Sequence, residues 1–176
     1  MSLVVLPAMI LPLGVRAEVV DSIATGFEVR STASIAASPD SVYRALVYRI
    51  SDWWDPEHTW SWNAKNVSID PRPGGCLCEK LPGGGGVEHM TVIYVAPGKL
   101  LRMRGALGPM QASGLSGVMT WEFKSVADGT TVEQTYSIGG FYKGGLQALA
   151  PVVDSVLGGQ LRRLKLFIET GTPKTE

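Results

Sequence analysis

The chain has 176 residues, with 16 basic and 16 acidic side chains and a formal net charge of zero. That length suits one domain with its own core. The charge balance argues against a nucleic-acid surface or an anionic-membrane surface, since both need a basic excess. The 21 glycines and 11 prolines imply many turns, as in an antiparallel sheet.

Leu3 to Val15 is almost wholly apolar, broken by Pro7 and Pro12, and runs into Val15-Arg16-Ala17. An apolar run ending in a small residue has the form of a signal peptide, so residues 1–17 are expected to be removed before Glu18. The protein is then periplasmic or secreted. The departure from the pattern is that no Lys or Arg precedes Leu13. An apolar arm packed on a cytoplasmic domain is the alternative. The run is too short to cross a membrane, so no integral membrane span is expected. Residues 18–171 form the expected domain, and 172–176 a tail.

Val19 to Ala37 alternates like a strand, with Phe27, Val29, Ala33 and Ile35 on one parity. Ser38-Pro39-Asp40 is a helix start, with Ser at the N-cap and Pro in the first turn. The helix carries Val42, Leu46 and Ile50 on one face. Asp52 to Lys65 holds Trp53, Trp54, Trp60 and Trp62 and predicts short helical turns. A short strand (Asn66–Asp70) and the turn Pro71-Arg72-Pro73-Gly74-Gly75 follow. Two strands flank the glycine-rich tip Pro82–Gly86. The tip is not a phosphate loop, because no Lys-Ser/Thr follows and it leads into a strand. Strands are predicted over Lys99–Gly105 and Gly117–Val126, with a loose segment between them. Asp128-Gly129 marks a hairpin pairing Met119, Trp121 and Phe123 with Ile138, Tyr136 and Gln134. Thr131, Glu133, Thr135 and Ser137 lie on its solvent side.

Gly144 to Gly171 is the longest apolar-periodic run, with Leu146, Leu149, Val153, Val156, Leu157, Leu161, Leu164, Phe167 and Ile168 at helical spacing. Pro151 marks either its start or a kink. Gly171 stands at the expected C-terminal cap. Arg162, Arg163 and Lys165 suit the negative end of the helix dipole. Gly158 and Gly159 fall mid-helix. They serve either close packing or room for a ligand. A helix with so broad an apolar face needs a sheet to lie on.

The N-terminal strand ending in "SPDSVYRAL", the Trp-rich link, the "DPRPGG" turn, the strand meander and the closing helix together resemble the START-like, or SRPBCC, superfamily. This is the helix-grip fold shared with the birch pollen allergen, the polyketide cyclase/dehydrase group and the heat-shock ATPase activator homologues. The resemblance spans Glu18 to Thr170. It implies an α+β fold: a curved antiparallel sheet of about seven strands round a long C-terminal helix, short helices after the first strand, and an apolar cavity between. It also implies that the second and fourth residues after Gly74-Gly75, Leu77 and Glu79, point into that cavity.

If Leu81 faces Val87 across the tip, Glu79 faces His89, Leu77 faces Thr91 and Lys80 faces Glu88. A carboxylate beside an imidazole can act as a base with its orienting group. It can equally anchor a ligand head group or form a structural ion pair. Cys76 and Cys78 fall on the other face, with Met90, Val92 and Tyr94. A regular strand holds residues i and i+2 about 6.5–7 Å apart, too far for a relaxed disulfide. A thiol pair, a strained bridge and a metal site stay open, although the spacing matches no zinc motif. No metal and no cofactor are therefore expected.

The expected pocket lies between the long helix, through Val153 and Leu157, and the strand face bearing Leu77, Ile93, Leu101, Met103, Trp121 and Tyr136. Gln134 and Tyr136 give its wall polar groups, and Trp54 and Trp60 border its mouth. The expected function is binding of a hydrophobic small molecule or lipid. One alternative is a cyclase/dehydrase- or hydrolase-type enzyme using Glu79 and His89. Another is a protein-interaction domain of the heat-shock ATPase activator type.

Overall fold

The computed structural model describes residues 14–174. Most of the expected signal peptide lies outside them, but Arg16 and Ala17 open the first strand, β1 (Arg16–Ile23). β1 turns at Ala24-Thr25 into β2 (Gly26–Ile35), so the single strand expected from Val19 is a hairpin. The physical reason is exposure. β1 is an edge strand with no buried residue, so it carries no apolar alternation to set it apart from β2. On β2 the predicted parity holds: Phe27, Val29, Ala33 and Ile35 are buried, with Ser31 between them.

Ser38 caps α1 (Pro39–Tyr48), its Oγ accepting the Ser41 N–H at 3.3 Å. A short α2 (Ile50–Trp53) and 3₁₀ turns at Pro56–His58 and Ala64–Asn66 make up the Trp-rich link. Six strands follow: β3 (Val67–Ile69), β4 (Cys76–Lys80), β5 (Gly86–Ala96), β6 (Leu100–Arg104), β7 (Gly114–Val126) and β8 (Gly129–Phe141). Within the loose segment before β7, Gly108–Ala112 forms a 3₁₀ turn. The eight strands form one antiparallel sheet in the order β1-β2-β8-β7-β6-β5-β4-β3. With the closing helix α3 (Ala150–Thr170) this is the α+β helix-grip architecture.

Both predicted hairpin registers are off by two residues next to their turns; beyond Cys78 the β4–β5 register is off by one, with Leu77 opposite Met90 and not Thr91. Met119 faces Tyr136, Trp121 faces Gln134 and Phe123 faces Val132, because Val126 and Gly129 pair and leave only Ala127-Asp128 in the turn. A slip of two preserves the face, so these side chains stay inside. At the glycine tip, the Leu81 N–H donates to Gly85 O, and Lys80 pairs with Gly86. Gly83 and Gly84, at φ of 83° and 91°, allow this tighter loop. Glu88 consequently sits opposite Cys78, not Lys80.

β5 carries two bulges. At the first, Leu77 pairs with Met90 and Cys78 with Glu88, so His89 is the extra residue. At the second, Val92 pairs with Met103 and Tyr94 with Arg102, which leaves Ile93 as the extra residue. His89 and Met90 are therefore both buried, and Val92 is inside as well, against the expectation that Met90 and Val92 share the cysteine face. Ile93 is 41% exposed and does not line the pocket expected of it.

Pro151 marks the start of α3, in the first turn where a missing N–H breaks no helical bond, and a 3₁₀ turn, Gln147–Leu149, precedes it. Gly171 closes the helix in the left-handed region at φ 79°. α3 leans mainly on β2 and β1. Leu157, Leu161 and Leu164 are buried, as is Lys165, whose Nζ donates to Ser34 O at 2.7 Å and to Glu169 at 2.6 Å. Lys165 thus ties the helix to the sheet and is not a solvated charge at the helix end.

The two mid-helix glycines have different roles. A Cβ on Gly158 would meet Ala17 Cβ at 2.8 Å, whereas one on Gly159 would meet nothing within 4 Å. Gly159→Ala should stabilise the full chain by about 0.5–1 kcal/mol through helix propensity. Gly158→Ala should destabilise it by about 1 kcal/mol, because overpacking against β1 exceeds the same gain. Urea unfolding midpoints check both. In a chain starting at Glu18 the Ala17 contact is absent, and Gly158→Ala should become stabilising.

Candidate functional site

The site begins with a buried charge. Glu79 is 2% exposed on the inner face of β4. Its carboxylate accepts the backbone N–H groups of Trp60, at 3.0 Å, and of Ser61, and lies 2.9 Å from His89 Nε2. Burial pushes its pKa up, but the Ser61 hydroxyl, the two backbone N–H groups and His89 together hold it below the usual carboxylate range. Glu79 is therefore an acceptor only, and it fastens the Trp-rich link to the sheet. His89 reaches it although Val87, not His89, is the cross-strand partner of Glu79. The bulge turns the His89 ring inward beside the carboxylate.

The link is held from the helix side as well. Arg163 Nε donates to Trp53 O at 2.8 Å, its Nη2 donates to Trp54 O, and its guanidinium lies 3.6 Å from Asp55. Gln160 Oε1 accepts the Asp55 N–H at 3.0 Å. Arg163 thus satisfies carbonyls at the end of α2 instead of the dipole of its own helix. Within the link, Trp54 Nε1 donates to His58 O, and Thr59 Oγ1 accepts from Asn63 N. Trp62 takes φ 56°, a conformation costly for a bulky side chain, and is 73% exposed.

Between this link, the first half of α3 and the Gly108–Ala112 turn lies a hollow of about 600 Å³. Of the expected site residues, Trp54, Trp60, Leu77, His89, Val153 and Leu157 line it. Glu79 lies behind His89 and off the wall. The remaining expected wall residues do not line it. Leu101, Met103, Trp121, Gln134 and Tyr136 are fully buried in the packed core. Tyr136 donates to Gly105 O and accepts from Leu107 N, and Gln134 Nε2 contacts Met119 Sδ. The sheet face bearing these five residues is thus solid, and the open space lies beside the first half of α3.

Several lining residues went unrecognised in the sequence: His58, Trp62, Leu107, Pro109, Met110, Tyr142, Leu149, Val152 and Val156. Val156 and Leu149 carried a signal, being part of the helical apolar repeat. Leu107 to Met110 sit in a segment with no periodicity. No Lys or Arg lines the hollow among the described residues, and Glu57 is the one carboxylate on its wall. The space suits uncharged matter better than an anion.

Cys76 and Cys78 face away from the hollow and form a disulfide, with Cα atoms 5.3 Å apart, closer than a regular strand allows. The same bulge distorts β4–β5 pairing beside them. No cluster of three or more His, Cys, Asp or Glu capable of holding a metal occurs among the described residues. No described helix is long and apolar enough to cross a membrane.

An antiparallel sheet gripping a terminal helix beside an apolar hollow defines a START-like domain. A family model described as polyketide cyclase / dehydrase and lipid transport matches residues 26–169, and the chain belongs to that family. Among solved structures, a conserved protein of unknown function from Enterococcus faecalis is 16% identical with a TM-score of 0.64, over 92% of this chain and 83% of that one. CalU16 from Micromonospora echinospora is 16% identical with a TM-score of 0.58, over 89% and 88%. The Aha1 dimer from Colwellia psychrerythraea is 21% identical with a TM-score of 0.59, over 82% and 97%. At such identities the likeness is one of fold. No curated protein matches the chain.

The depressed pKa of Glu79 makes its contribution pH-dependent. A carboxylate whose folded pKa is lowered stabilises the fold fully above its ordinary value of 4.5, and the contribution is lost as pH falls through the folded value. Glu79→Gln should cost about 2 kcal/mol at neutral pH, since charged hydrogen bonds are lost and buried N–H donors meet an amide. The gap between variant and wild type should close as pH falls below that range. Urea midpoints of both proteins across pH measure this.

Proposed function

We propose that this chain binds a hydrophobic small molecule in the hollow beneath the first half of α3. The observation that carries the reading is the wall itself. Val153, Val156 and Leu157 on α3 face Leu77 on β4 across a space whose size lies in the range of small-molecule pockets. Trp54, Trp60 and Trp62 add flat apolar surface, and Trp60 and Trp62 reach solvent at the rim. The family description, which includes lipid transport, supports the same reading.

A proton-transfer role is the second reading, favoured by the 2.9 Å contact between His89 and Glu79. Binding is preferred because the Glu79 carboxylate is already occupied by backbone N–H groups that it holds in place. We further propose that the protein is exported. The apolar N-terminal run supports this, and so does the Cys76–Cys78 bridge, which belongs in an oxidising compartment. N-terminal sequencing of the native protein should then begin at or near Glu18.

Native mass spectrometry of protein purified from its own host should show an adduct of small-molecule mass. Val153→Trp places an indole in the hollow and should abolish the adduct while leaving the unfolding free energy within about 1–2 kcal/mol of wild type, as the space can take the ring. Equal loading of wild type and Val153→Trp would count against the site.

A further inference from the structure

The hollow has one buried polar side chain that is only half used. His89 is 8% exposed and lines the space. Its Nε2 lies 2.9 Å from Glu79 Oε2. That carboxylate already takes the N–H groups of Trp60 and Ser61, so it is ionised and can only accept. Nε2 must therefore carry the hydrogen. In the neutral ring this leaves Nδ1 as a bare acceptor, an assignment made by the network and not by the ring alone. Nδ1 has no hydrogen-bond partner among the described residues. It is also not one of their sealed, unpaired polar atoms, which are Ser22 Oγ, Arg30 Nε, Ser31 Oγ, Gln134 Oε1 and Asp154 Oδ1. The open nitrogen of His89 thus meets the hollow.

We infer that the occupant is an uncharged apolar molecule bearing a hydroxyl group, which donates its hydrogen to His89 Nδ1. This rests on the binding function proposed above and names the chemistry of the ligand. The argument has two sides. A buried acceptor with no partner favours a ligand that brings a donor, because a ligand without one leaves the nitrogen desolvated and unpaired. A carboxylate or phosphate ligand is disfavoured: Nδ1 of the neutral ring has no hydrogen to offer it, no Lys or Arg lines the wall among the described residues, and Glu57 and the ionised Glu79 repel it. The aromatic rims of Trp54 and Trp60 suit a flat ring system. Glu79 is a positioning residue here, since it fixes the tautomer of His89 without touching the ligand.

The test compares four probes of one shape by isothermal titration calorimetry: naphthalene, 2-naphthol, 2-methoxynaphthalene and 2-naphthoate. The full chain is held at about pH 8, above the ordinary histidine range and below the phenol range. 2-Naphthol should bind about tenfold more tightly than naphthalene or 2-methoxynaphthalene, the worth of one well-placed hydrogen bond. 2-Naphthoate should bind most weakly. In His89→Phe, which keeps a ring in place, the preference for 2-naphthol should vanish. If that variant does not fold, nitrogen NMR of the imidazoles in wild type decides. The chain has 2 histidines, and 2-naphthol should shift the His89 Nδ1 resonance where naphthalene does not. Equal binding of the three uncharged probes would overturn the hydroxyl anchor and leave the hydrophobic site standing. Tightest binding of 2-naphthoate would overturn it in favour of an anion site. Failure of all four to bind would remove the binding site and the anchor together.

Discussion

The carboxylate of Glu79 is the interaction on which the site depends. An ionised group under the sheet is tolerable only if its charge is met by donors. Here the donors are two backbone N–H groups from the Trp-rich link and the ring of His89. One buried charge therefore sets three things at once: where the link crosses the sheet, where Trp60 stands, and which nitrogen of His89 is left over. Most N–H groups of the link find acceptors within it, but those of Asp55, Trp60 and Ser61 are met by Gln160 and Glu79, so the position of the link is set by partners elsewhere.

The hollow follows from how α3 is seated. The helix leans on β1 and β2, at one edge of an eight-stranded sheet whose other edge carries β3 and β4. Its buried leucines fill the near side. On the far side it is spaced off by polar struts: Arg163 on the carbonyls of Trp53 and Trp54, and Gln160 on the N–H of Asp55. The apolar residues of its first turns then have no solid surface to meet. Val153 and Val156 stay partly accessible, and Val152 is exposed. This is why the pocket sits at the start of the helix and does not run its full length.

The fold was legible because its signals are periodic. The long apolar repeat, the β2 alternation, the Ser38 cap and the face of β4 carrying Leu77 and Glu79 all read correctly. The strand faces, moreover, depend on an alternation that survives a slip of two residues. The contact between Glu79 and His89 was also legible, though for the wrong register. What was not legible depends on an extra residue. Bulges leave no mark in an alternating sequence, so Ile93 was assigned to the wall and Met90 and Val92 to the outside. Leu101, Met103, Trp121, Gln134 and Tyr136 were placed on the correct face, but a face cannot show where packing ends and space begins. That boundary is set by the struts on α3, and these involve residues more than 100 positions apart.

Three local departures from regular structure converge on the same place. Trp62 adopts a left-handed backbone, His89 occupies a bulge, and the first turns of α3 carry apolar side chains left short of full burial. Each is unfavourable in isolation. The rest of the chain is locally consistent with its fold, so nothing in the sheet or the helix requires the three together. They share one neighbour, the hollow that all of them border. Bulges also bend a strand and increase its twist, and β5 carries two within five residues of each other. The first brings His89 inward and reverses the alternation beyond it, so that Met90 and Val92 turn inside; the second leaves Ile93 unpaired and exposed. The inward ring of His89 and the outward turn of Ile93 are thus both products of irregular pairing along β5.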